Sequence, residues 1–455
     1  MSKQIVVIGG DAAGMTCASK VKREHSDWKV TVLERGEHVS YAACGIPYYV
    51  SGVVPDLDNL QIITPDQFRK KRNIDLRMGW EAVQILPDEY QVKAKKLDGG
   101  EEIILDYDHL MIATGASAVI PPIDGSDLHG VFTVRNLTDA HNMRHWITEH
   151  RPENAVIVGG GYIGLEMAEA LVERNIKVQV VEMLSQVLSP MDEPITDRVM
   201  EELKKNGVQV HLKSKVEQLH GKNGAVTGVM VAGMTNELPA DMVILGSGIR
   251  PNSALAKEAG LEVGNSGGIL VDERQQTSHK DIFAGGDCVE QKHLVTGGQT
   301  YVPLGPAANK HGRVAGINIS GGKAVFPGVV GTAVMKVFDL TISRTGLMES
   351  QASDNGFDFF SNTIKSRERA GYYPNSGQLI IHVIAEKKTG RLLGAEICGG
   401  TTAAKRIDPF AVALHNEMTL DEVAMLDLSY APPYSPVLDP VGVAAQVAVG
   451  KMSAK

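Results

Sequence analysis

The pattern of apolar and polar positions near the N-terminus predicts a strand, a glycine turn, a helix and a second strand. IVVIGG at residues 5–10 predicts a buried strand, residues 9–23 predict a turn and a helix, and KVTVLE at 29–34 predicts a strand that ends in an acid. This order is typical of a dinucleotide site, because glycines let backbone N–H groups approach a pyrophosphate and the acid accepts a ribose hydroxyl. Asp11 replaces the middle glycine of the G-x-G-x-x-G pattern. The residues predicted to bind this first dinucleotide are Gly9, Gly10, Asp11, Ala12, Ala13, Gly14, Glu34 and Arg35.

The same unit recurs at residues 155–182, AVIVGGGYIGLEMAEALVERNIKVQVVE, with all three glycines in place. Two such units predict a protein that binds a flavin and a nicotinamide. An acid at Glu182 would repel a 2′-phosphate, so NADH is predicted as the favoured donor, with NADPH as the other. The predicted contacts to the nicotinamide dinucleotide are Gly159, Gly161, Tyr162, Ile163, Gly164, Glu182 and Gly248.

Two further strands assign FAD to the first unit. HLMIATGA at 109–116 predicts a strand that ends at Thr114 and Gly115, where the chain crosses close to a cofactor. DIFAGGDC at 281–288 predicts a strand followed by Gly286 and Asp287, whose carboxylate would accept a ribityl hydroxyl. A helix beginning after Asp287 is predicted to face phosphate.

The order of these units predicts an α/β fold with two Rossmann-like domains and a C-terminal α+β domain. The FAD domain is predicted at 1–115 and 255–322, the NAD(P)H domain at 116–254, and the third domain at 325–455. The third domain is predicted to contain antiparallel strands, the last two joined at Thr389-Gly390, then a helix within 403–418. Thr419 and Glu422 form a predicted capping box, and LSYAPPYSPVLDP at 428–440 is predicted to be extended.

The length of the chain agrees with three domains, and its net charge argues against nucleic-acid and membrane partners. A chain of 455 residues suggests about three domains at roughly 150 residues each. The net charge of −9 argues against bulk binding to nucleic acid or to an anionic membrane. No apolar run has transmembrane length and the N-terminus lacks the parts of a signal peptide, so a cytoplasmic protein is predicted. The four cysteines are too scattered for a disulfide scaffold or a zinc site, and no metal is predicted.

One cysteine, Cys44 in HVSYAACGIPYYVSG at 38–52, is a candidate redox centre. By itself it is typical of a small packed residue, as Cys17, Cys288 and Cys398 are predicted to be. Beside a flavin it could exchange with a disulfide, but no second cysteine lies nearby. The other half of that disulfide is therefore expected to be a small molecule.

The whole chain resembles the pyridine nucleotide–disulfide oxidoreductases. The resemblance is carried by SYAACGIPYY, ATGA, GGGYIGLE, GSGIRPN, AGGDC, LGPAANKHGRVAG and YAPPYSP. The resemblance is strongest to the coenzyme A disulfide reductases of the single-cysteine branch, with NADH oxidases, NADH peroxidases and polysulfide reductases as neighbours. It implies a homodimer formed through the third domain, with Cys44 beside the flavin and a site completed by the partner subunit.

The resemblance also implies a reaction, the NAD(P)H-dependent reduction of coenzyme A disulfide or related mixed disulfides and persulfides. Cys44 would cycle as a mixed disulfide with coenzyme A, and Tyr162 would gate access of NADH to the flavin. Tyr372 and Tyr430 of the partner subunit would protonate the leaving thiolate, with Tyr373 and Tyr434 as adjacent candidates. The implied contacts to coenzyme A are Lys20, Arg23, Ser40, Arg72 (or Lys71), Asn309 and Lys310.

Three alternatives remain at this point. The peroxidase and oxidase branch has a histidine in the first glycine turn, where this chain has Ala12, which argues against a dedicated peroxidase. Two other enzymatic hypotheses are an NADH oxidase or peroxidase that cycles Cys44 through sulfenate, and a polysulfide reductase. The third, non-catalytic hypothesis is a redox sensor that reports thiol status with little turnover.

Overall fold

A computed structural model describes residues 2–453. The N-terminal part builds most of one parallel sheet and a three-stranded antiparallel sheet, β4–β6. Its elements are β1 Gln4–Ile8, α1 Ala12–Glu24, β2 Lys29–Glu34, α2 Ile46–Ser51, α3 Pro65–Arg72, β3 Asp75–Met78, β4 Trp80–Leu86, β5 Gln91–Lys96, β6 Glu102–Asp106 and β7 His109–Ile112. The predicted β1, α1, β2 and β7 are confirmed, since their β-branched runs fit a buried parallel sheet.

The central part builds a second parallel sheet, in the order β12-β11-β10-β16-β9. Its elements are β8 Ala116–Ala118, β9 Val131–Phe132, α4 Leu137–His150, β10 Asn154–Val158, α5 Tyr162–Val172, β11 Lys177–Val181, α6 Glu193–Lys205, β12 Gln209–His211, β13 Val216–Lys222, β14 Ala225–Val231, β15 Leu238–Pro239, β16 Met242–Leu245 and β17 Ile249–Pro251. The stretch 241–252 contains two separate strands, because β16 joins this sheet whereas β17 pairs with β8.

The next part returns to the first sheet. Its elements are α7 Ala254–Glu258, β18 Ile269–Leu270, β19 Ile282–Ala284, β20 Val289–Lys292, β21 Gln299–Thr300 and α8 Gly305–Ile319. Strand β19 pairs with β7, so the first sheet has the order β19-β7-β1-β2-β3, and α8 packs on α1. The prediction of a helix directly after Asp287 is wrong. The chain continues from the apolar Val289 as β20, which pairs with β18 and β21.

The C-terminal part is a five-stranded antiparallel sheet with helices on it, in the order β22-β23-β26-β25-β24. Its elements are β22 Ala333–Val337, β23 Leu340–Gly346, α9 Glu349–Asp354, β24 Phe359–Arg367, β25 Gln378–Glu386, β26 Leu392–Gly399, α10 Ala403–His415, α11 Leu420–Ala424 and α12 Pro440–Ser453. The antiparallel strands and the capping box at Thr419 are confirmed. The segment 428–440 is not fully extended, since the N–H groups of Tyr434 and Ser435 both donate to the Ala431 carbonyl in a tight turn.

One apolar core connects the central sheet with the C-terminal sheet and with α2. Ile46 and Val50 of α2 are buried against Leu165 of α5, and Ile342 of β23 belongs to the same core. The segment that follows Cys44 is thereby held by packing rather than left as a free loop. Within residues 2–453, no helix is both long and apolar enough to span a bilayer.

Candidate active site

The first glycine turn places the start of α1 at the carboxyl edge of the first sheet. Gly9 has a φ of +106°, and a Cβ there would overlap the Ala113 carbonyl oxygen. A Cβ at Gly14 would overlap the Gly9 carbonyl oxygen, so α1 lies as close to the turn as a glycine permits. This close packing fits a dinucleotide, whose pyrophosphate binds at a helix N-terminus in such folds.

The second glycine turn repeats this geometry and leaves space for a ligand. Gly159 has a φ of +110°, and a Cβ at Gly164 would overlap the Gly159 carbonyl oxygen. Within residues 2–453, and apart from the glycine itself and its chain neighbours, no heavy atom lies within 4 Å of the place that a Cβ would occupy at Gly161 or at Gly248. A side chain at either position would fill open space above the turn, so these glycines fit a cradle for a bound nicotinamide dinucleotide.

The two acids predicted for ribose recognition occupy equivalent positions. The Glu34 carboxylate accepts a hydrogen bond from the Gly10 N–H at 2.7 Å, and the Glu182 carboxylate accepts one from the Gly160 N–H at 2.6 Å. Each acid therefore lies at the end of the second strand of its unit and against the glycine turn. The arrangement leaves both carboxylates beside the place where a ribose would follow the pyrophosphate.

Asp11, which replaces a glycine, lies at the N-terminal end of α1 and is the residue of the first turn with a strongly altered pKa. Its carboxylate accepts a hydrogen bond from the Tyr41 N–H at 3.2 Å. Burial raises the pKa of Asp11 to about 6, although the nearby Arg135 acts in the opposite direction. Ala12 and Ala13 follow it as the first residues of α1.

Two other predicted residues flank the first turn. The Ser40 N–H donates to the Gly10 carbonyl at 3.0 Å, and Ser40 has a φ of +49°. The loop that leads to Cys44 is thus tied directly to the glycine turn. Arg35, immediately after β2, is exposed and lies 3.8 Å from the Glu81 carboxylate.

Thr114 and Gly115, predicted to lie at a crossover of the chain, are hydrogen-bonded to Asn252, which was not assigned from the sequence. The Thr114 hydroxyl donates to the Asn252 carbonyl at 2.6 Å, and the Asn252 amide donates to the Thr114 carbonyl at 2.9 Å. Gly115 has a φ of +67°, and its carbonyl accepts the Asn252 N–H at 2.9 Å. The motif GSGIRPN contained the signal for Asn252, because it ends on that residue.

Asp287, predicted to accept a ribityl hydroxyl, lies near the first turn and is paired with an arginine that was not predicted. A Cβ at Gly286 would lie 3.1 Å from the Ala13 Cβ, which places this turn against the start of α1. Arg135 donates to the Asp287 carboxylate at 3.1 Å and to the Ala116 carbonyl at 2.7 Å. No motif surrounds Arg135 in the sequence, and its contacts depend on long-range packing.

Tyr162 and Ile163 begin α5, beside the second glycine turn. The Tyr162 hydroxyl is buried, and burial raises its pKa while the neighbouring Arg344 acts in the opposite direction. Ile163 is half-buried against the central core. The tyrosine predicted to gate NADH therefore lies where α5 meets the C-terminal sheet.

Cys44 is the single exposed cysteine, since Cys17, Cys288 and Cys398 are buried. It lies in a short 3-10 turn, Ala43–Gly45, immediately before α2. A Cβ at Gly45 would overlap the side chain of Leu60, so this turn packs closely. The sulfur is thereby presented to solvent from a rigid support.

The charges around Cys44 disfavour its thiolate in the protein alone. Partial desolvation raises the pKa of Cys44, the negative charges of Glu166 and Asp287 raise it further, and Arg135 lowers it. Burial also raises the pKa of Glu166, to about 7, with Glu169 adding to the effect. Glu166 was not assigned from the sequence, although it ends the motif GGGYIGLE.

Tyr372 and Tyr430 meet on the outside of the C-terminal domain. The two residues are 78% and 45% exposed, and a hydrogen bond with Tyr372 raises the pKa of Tyr430. The Ala370 N–H donates to the Pro432 carbonyl at 3.2 Å, which holds the two tyrosine segments together. The pair is therefore accessible to a second subunit.

A cationic cleft of about 430 Å³ lies beside α1 and α3. Its lining residues are Ser19, Lys22, Arg23, Ser26, Lys71, Arg72 and Asn73. Arg72 donates to the Ser19 hydroxyl at 2.5 Å, and within residues 2–453 neither Arg23 nor Arg72 forms a salt bridge with a carboxylate. Such a cleft suits phosphate groups.

The other predicted coenzyme A contacts lie outside the lining of this cleft. Lys20 forms a salt bridge with Glu24, one turn further along α1. The Asn309 side chain accepts a hydrogen bond from the Thr16 hydroxyl at 3.0 Å, and Lys310 follows it, exposed, on α8. These residues share the α1–α8 face but not the cleft.

Comparisons with known proteins agree with this geometry. Residues 3–312 match the family described as pyridine nucleotide-disulphide oxidoreductase, and residues 332–440 match its dimerisation domain. The chain is 42% identical to an NAD(P)H sulfur oxidoreductase (CoA-dependent) from Pyrococcus abyssi, over 98% of each chain. It is 38% identical to an NADH oxidase from Methanocaldococcus jannaschii, over 99% of each chain. An NAD-dependent persulfide reductase from A. fulgidus has the same fold, with a TM-score of 0.96 and 43% identity over 99% of this chain and 84% of that one.

Proposed function

Because the chain belongs to the pyridine nucleotide–disulphide oxidoreductase family, we propose that it reduces coenzyme A disulfide, or a related coenzyme A mixed disulfide or persulfide, through Cys44. The chain is an FAD- and NAD(P)H-dependent oxidoreductase. The observation that carries the finer proposal is the lone exposed Cys44, with every other cysteine buried. A disulfide at this sulfur must form with a molecule from solution.

The first glycine turn with Glu34 would hold FAD, and the second with Glu182 would hold the nicotinamide dinucleotide. When bound, the flavin carries an electron pair from NADH to the active-site sulfur. The protein positions these groups and keeps Cys44 next to the first turn, through the bond from Ser40 to Gly10. Arg135 holds Asp287 at the same edge of the sheet.

Cys44 supplies the nucleophile. Its thiolate attacks one sulfur of coenzyme A disulfide, forms a mixed disulfide with that half and releases the other half as a thiolate. Two electrons from NADH then cleave the mixed disulfide into the Cys44 thiolate and a second coenzyme A thiolate. The sum is one NADH and one proton consumed, with two molecules of coenzyme A thiol and one NAD⁺ formed.

Tyr372 and Tyr430 of a second subunit supply the proton or hydrogen bond that each leaving thiolate needs. Both hydroxyls lie at an exposed surface, and the two side chains are hydrogen-bonded. Arg23 and Arg72, in the cationic cleft, would bind phosphates of coenzyme A, and Lys20, Ser40, Asn309 and Lys310 would extend the site along the α1–α8 face.

We further propose that the enzyme acts as a homodimer in the cytoplasm, where thiols are kept reduced. The dimerisation domain supports self-association. The tyrosine pair gives that association a catalytic role.

The proposal is tested by measuring the chemical state of Cys44 and the activities of a Cys44 variant. Mass spectrometry of the intact protein, before and after reduction, should reveal coenzyme A on Cys44. Cys44→Ser should abolish coenzyme A disulfide reduction but leave the reduction of bound FAD by NADH intact, because the serine hydroxyl does not form a disulfide. Cys398→Ser, at a buried sulfur, is the matched control and should retain both activities.

A second candidate function is NADH oxidation by oxygen or peroxide through a Cys44 sulfenate, favoured by the likeness to the M. jannaschii NADH oxidase. Rapid NADH-dependent oxygen or peroxide consumption, together with a free or sulfenic Cys44, would replace the first proposal with this one. Ala12 in the first glycine turn argues against it, as does the cationic cleft.

A further inference from the structure

A row of four polar residues crosses the C-terminal sheet where it faces α6. Arg344 on β23 pairs with Glu396 on β26, which pairs with His382 on β25, which pairs with Thr363 on β24. The flanking positions on the same face, among them Cys398, belong to the apolar core. Glu396 is 0% exposed and His382 is 3% exposed, so the charged part of the row is enclosed.

Two further carboxylates enter this row from other elements. Asp192, immediately before α6, lies with its Oδ2 3.5 Å from His382 Nε2, and Glu349, the first residue of α9, lies with its Oε1 3.2 Å from the same atom. The Asp192 N–H donates to the Glu396 carboxylate at 3.2 Å, and the Glu349 N–H donates to the Asp192 carboxylate at 3.2 Å. These backbone bonds orient two of the carboxylates toward the histidine.

His382 has one ring nitrogen satisfied and one directed into the cluster. Its Nδ1 lies 2.8 Å from the Thr363 hydroxyl. Its Nε2 is buried and, within residues 2–453, makes no hydrogen bond of good geometry, although Asp192 and Glu349 are close to it. A histidine anchored at one nitrogen, with the other open toward carboxylates, has the arrangement of a metal ligand with its outer partner.

The spacing and the charge of the cluster both suit a cation. The ligand atoms of Asp192, His382 and Glu396 lie within 4.8 Å of one another, and ligands on opposite sides of an ion with bonds of roughly 2.2 Å would be about 4.4 Å apart. Three carboxylates meet here, whereas the cation of the row is Arg344, whose Nε and Nη1 make no hydrogen bond within residues 2–453. A divalent ion would balance the remaining negative charge.

We propose that Asp192, His382 and Glu396, with Glu349 at the exposed rim, bind one divalent first-row cation that joins the start of α6 to the C-terminal sheet. Oxygen ligands with one imidazole suit Mn²⁺, Fe²⁺ or Zn²⁺, and the set contains no thiolate. Glu349, whose side chain is 40% exposed, marks the route by which the ion enters. No metal was predictable from the sequence, because these ligands lie on four elements and no local spacing connects them.

Manganese binding to the flavin-loaded protein tests this site. The protein is stripped with a chelator, dialysed and titrated with Mn²⁺, and the free ion is followed by its electron paramagnetic resonance signal. One Mn²⁺ per chain is expected, with nitrogen modulation of the bound signal from the His382 imidazole. Glu396→Gln and His382→Ala should each weaken binding at least about tenfold, and His382→Ala should remove the nitrogen modulation.

His141 and His145 provide the matched control, because they form an exposed pair one turn apart on α4. The double variant His141→Ala with His145→Ala should bind Mn²⁺ as the wild type does. If a core variant loses its flavin or its fold, Glu349→Gln at the rim takes its place and should also weaken binding. The proposal is overturned if the wild type binds neither Mn²⁺ nor Zn²⁺ stoichiometrically, or if Glu349→Gln and Glu396→Gln leave the affinity unchanged.

Discussion

At the scale of single residues, the charges near Cys44 control how much of it is thiolate. Glu166 and Asp287 raise the pKa of Cys44, and Arg135 acts against them. Since only the thiolate attacks a disulfide, the reactivity of the sulfur depends on side chains that belong to different domains of the chain. Sequence motifs predicted roles for Cys44 and Asp287, whereas the effects of Arg135 and Glu166 on Cys44 depend on packing across those domains.

Glu166→Gln should lower the pKa of Cys44 because it removes a negative charge that opposes the thiolate. Glu166 has a pKa of about 7, so it is largely charged above that pH and largely neutral below it. The substitution should therefore speed alkylation of Cys44 about two- to threefold at pH 8 and have little effect at pH 6. Iodoacetamide labelling followed by mass spectrometry measures this, with Glu173→Gln as a control. A uniform change at both pH values would contradict the electrostatic cause.

Glu182 provides a second prediction at this scale. Its carboxylate lies against the Gly160 N–H, and the next residue, Met183, is 65% exposed and carries no positive charge. Glu182→Gln should reduce the preference for NADH over NADPH by about tenfold, since it removes the repulsion of a 2′-phosphate. The ratio of kcat/KM for the two donors measures the change. An unaltered ratio would mean that Glu182 does not lie at the ribose.

At the scale of elements, local signals predicted most of the structure. The two strand–turn–helix–strand units were predictable because their glycine spacing and β-branched runs are local. The strand β20 was mistaken for a helix because its pairing with β18 and β21 is a tertiary contact. The helix α12 was missed although Asp439 and Pro440 mark its start, and the Asp439 carboxylate accepts the Val441 N–H at 2.9 Å.

The capping box of α11 allows a test of an element that was predicted from the sequence. The Thr419 hydroxyl accepts the Glu422 N–H at 3.4 Å, and the Glu422 carboxylate accepts the Thr419 N–H at 2.8 Å. Thr419→Ala should destabilise this short helix by about 1 kcal/mol, which corresponds to roughly fivefold faster exchange of its amide hydrogens. Native-state hydrogen exchange of residues 420–424 measures this, and the exposed Thr401→Ala should leave it unchanged. Equal exchange in Thr419→Ala would show that the cap contributes nothing to the helix.

At the scale of the whole molecule, the C-terminal domain carries an exposed apolar surface around the tyrosine pair. Tyr434, Val437 and Leu438 are 74%, 72% and 67% exposed, a combination typical of a surface that another subunit covers. The family match identifies this region as a dimerisation domain. A twofold dimer has two equivalent sites, and each would combine Cys44 of one chain with Tyr372 and Tyr430 of the other.

This exchange of residues can be tested by mixing two inactive proteins. Cys44→Ser lacks the nucleophile, and the double variant Tyr372→Phe with Tyr430→Phe lacks the proton donors. If the tyrosines act across the dimer, a heterodimer has one intact site, formed by Cys44 of the double variant and the tyrosines of the Cys44→Ser chain. Random exchange of equal amounts gives about half heterodimers, so the mixture should recover about a quarter of the wild-type coenzyme A disulfide reductase activity per chain.

If the tyrosines instead act on the cysteine of their own chain, neither site of the heterodimer is complete, and mixing should restore nothing. Native mass spectrometry of the mixture verifies that heterodimers form. Cys44→Ser mixed with Cys398→Ser retains half of the intact sites with or without exchange, so it is the control for nonspecific effects of mixing.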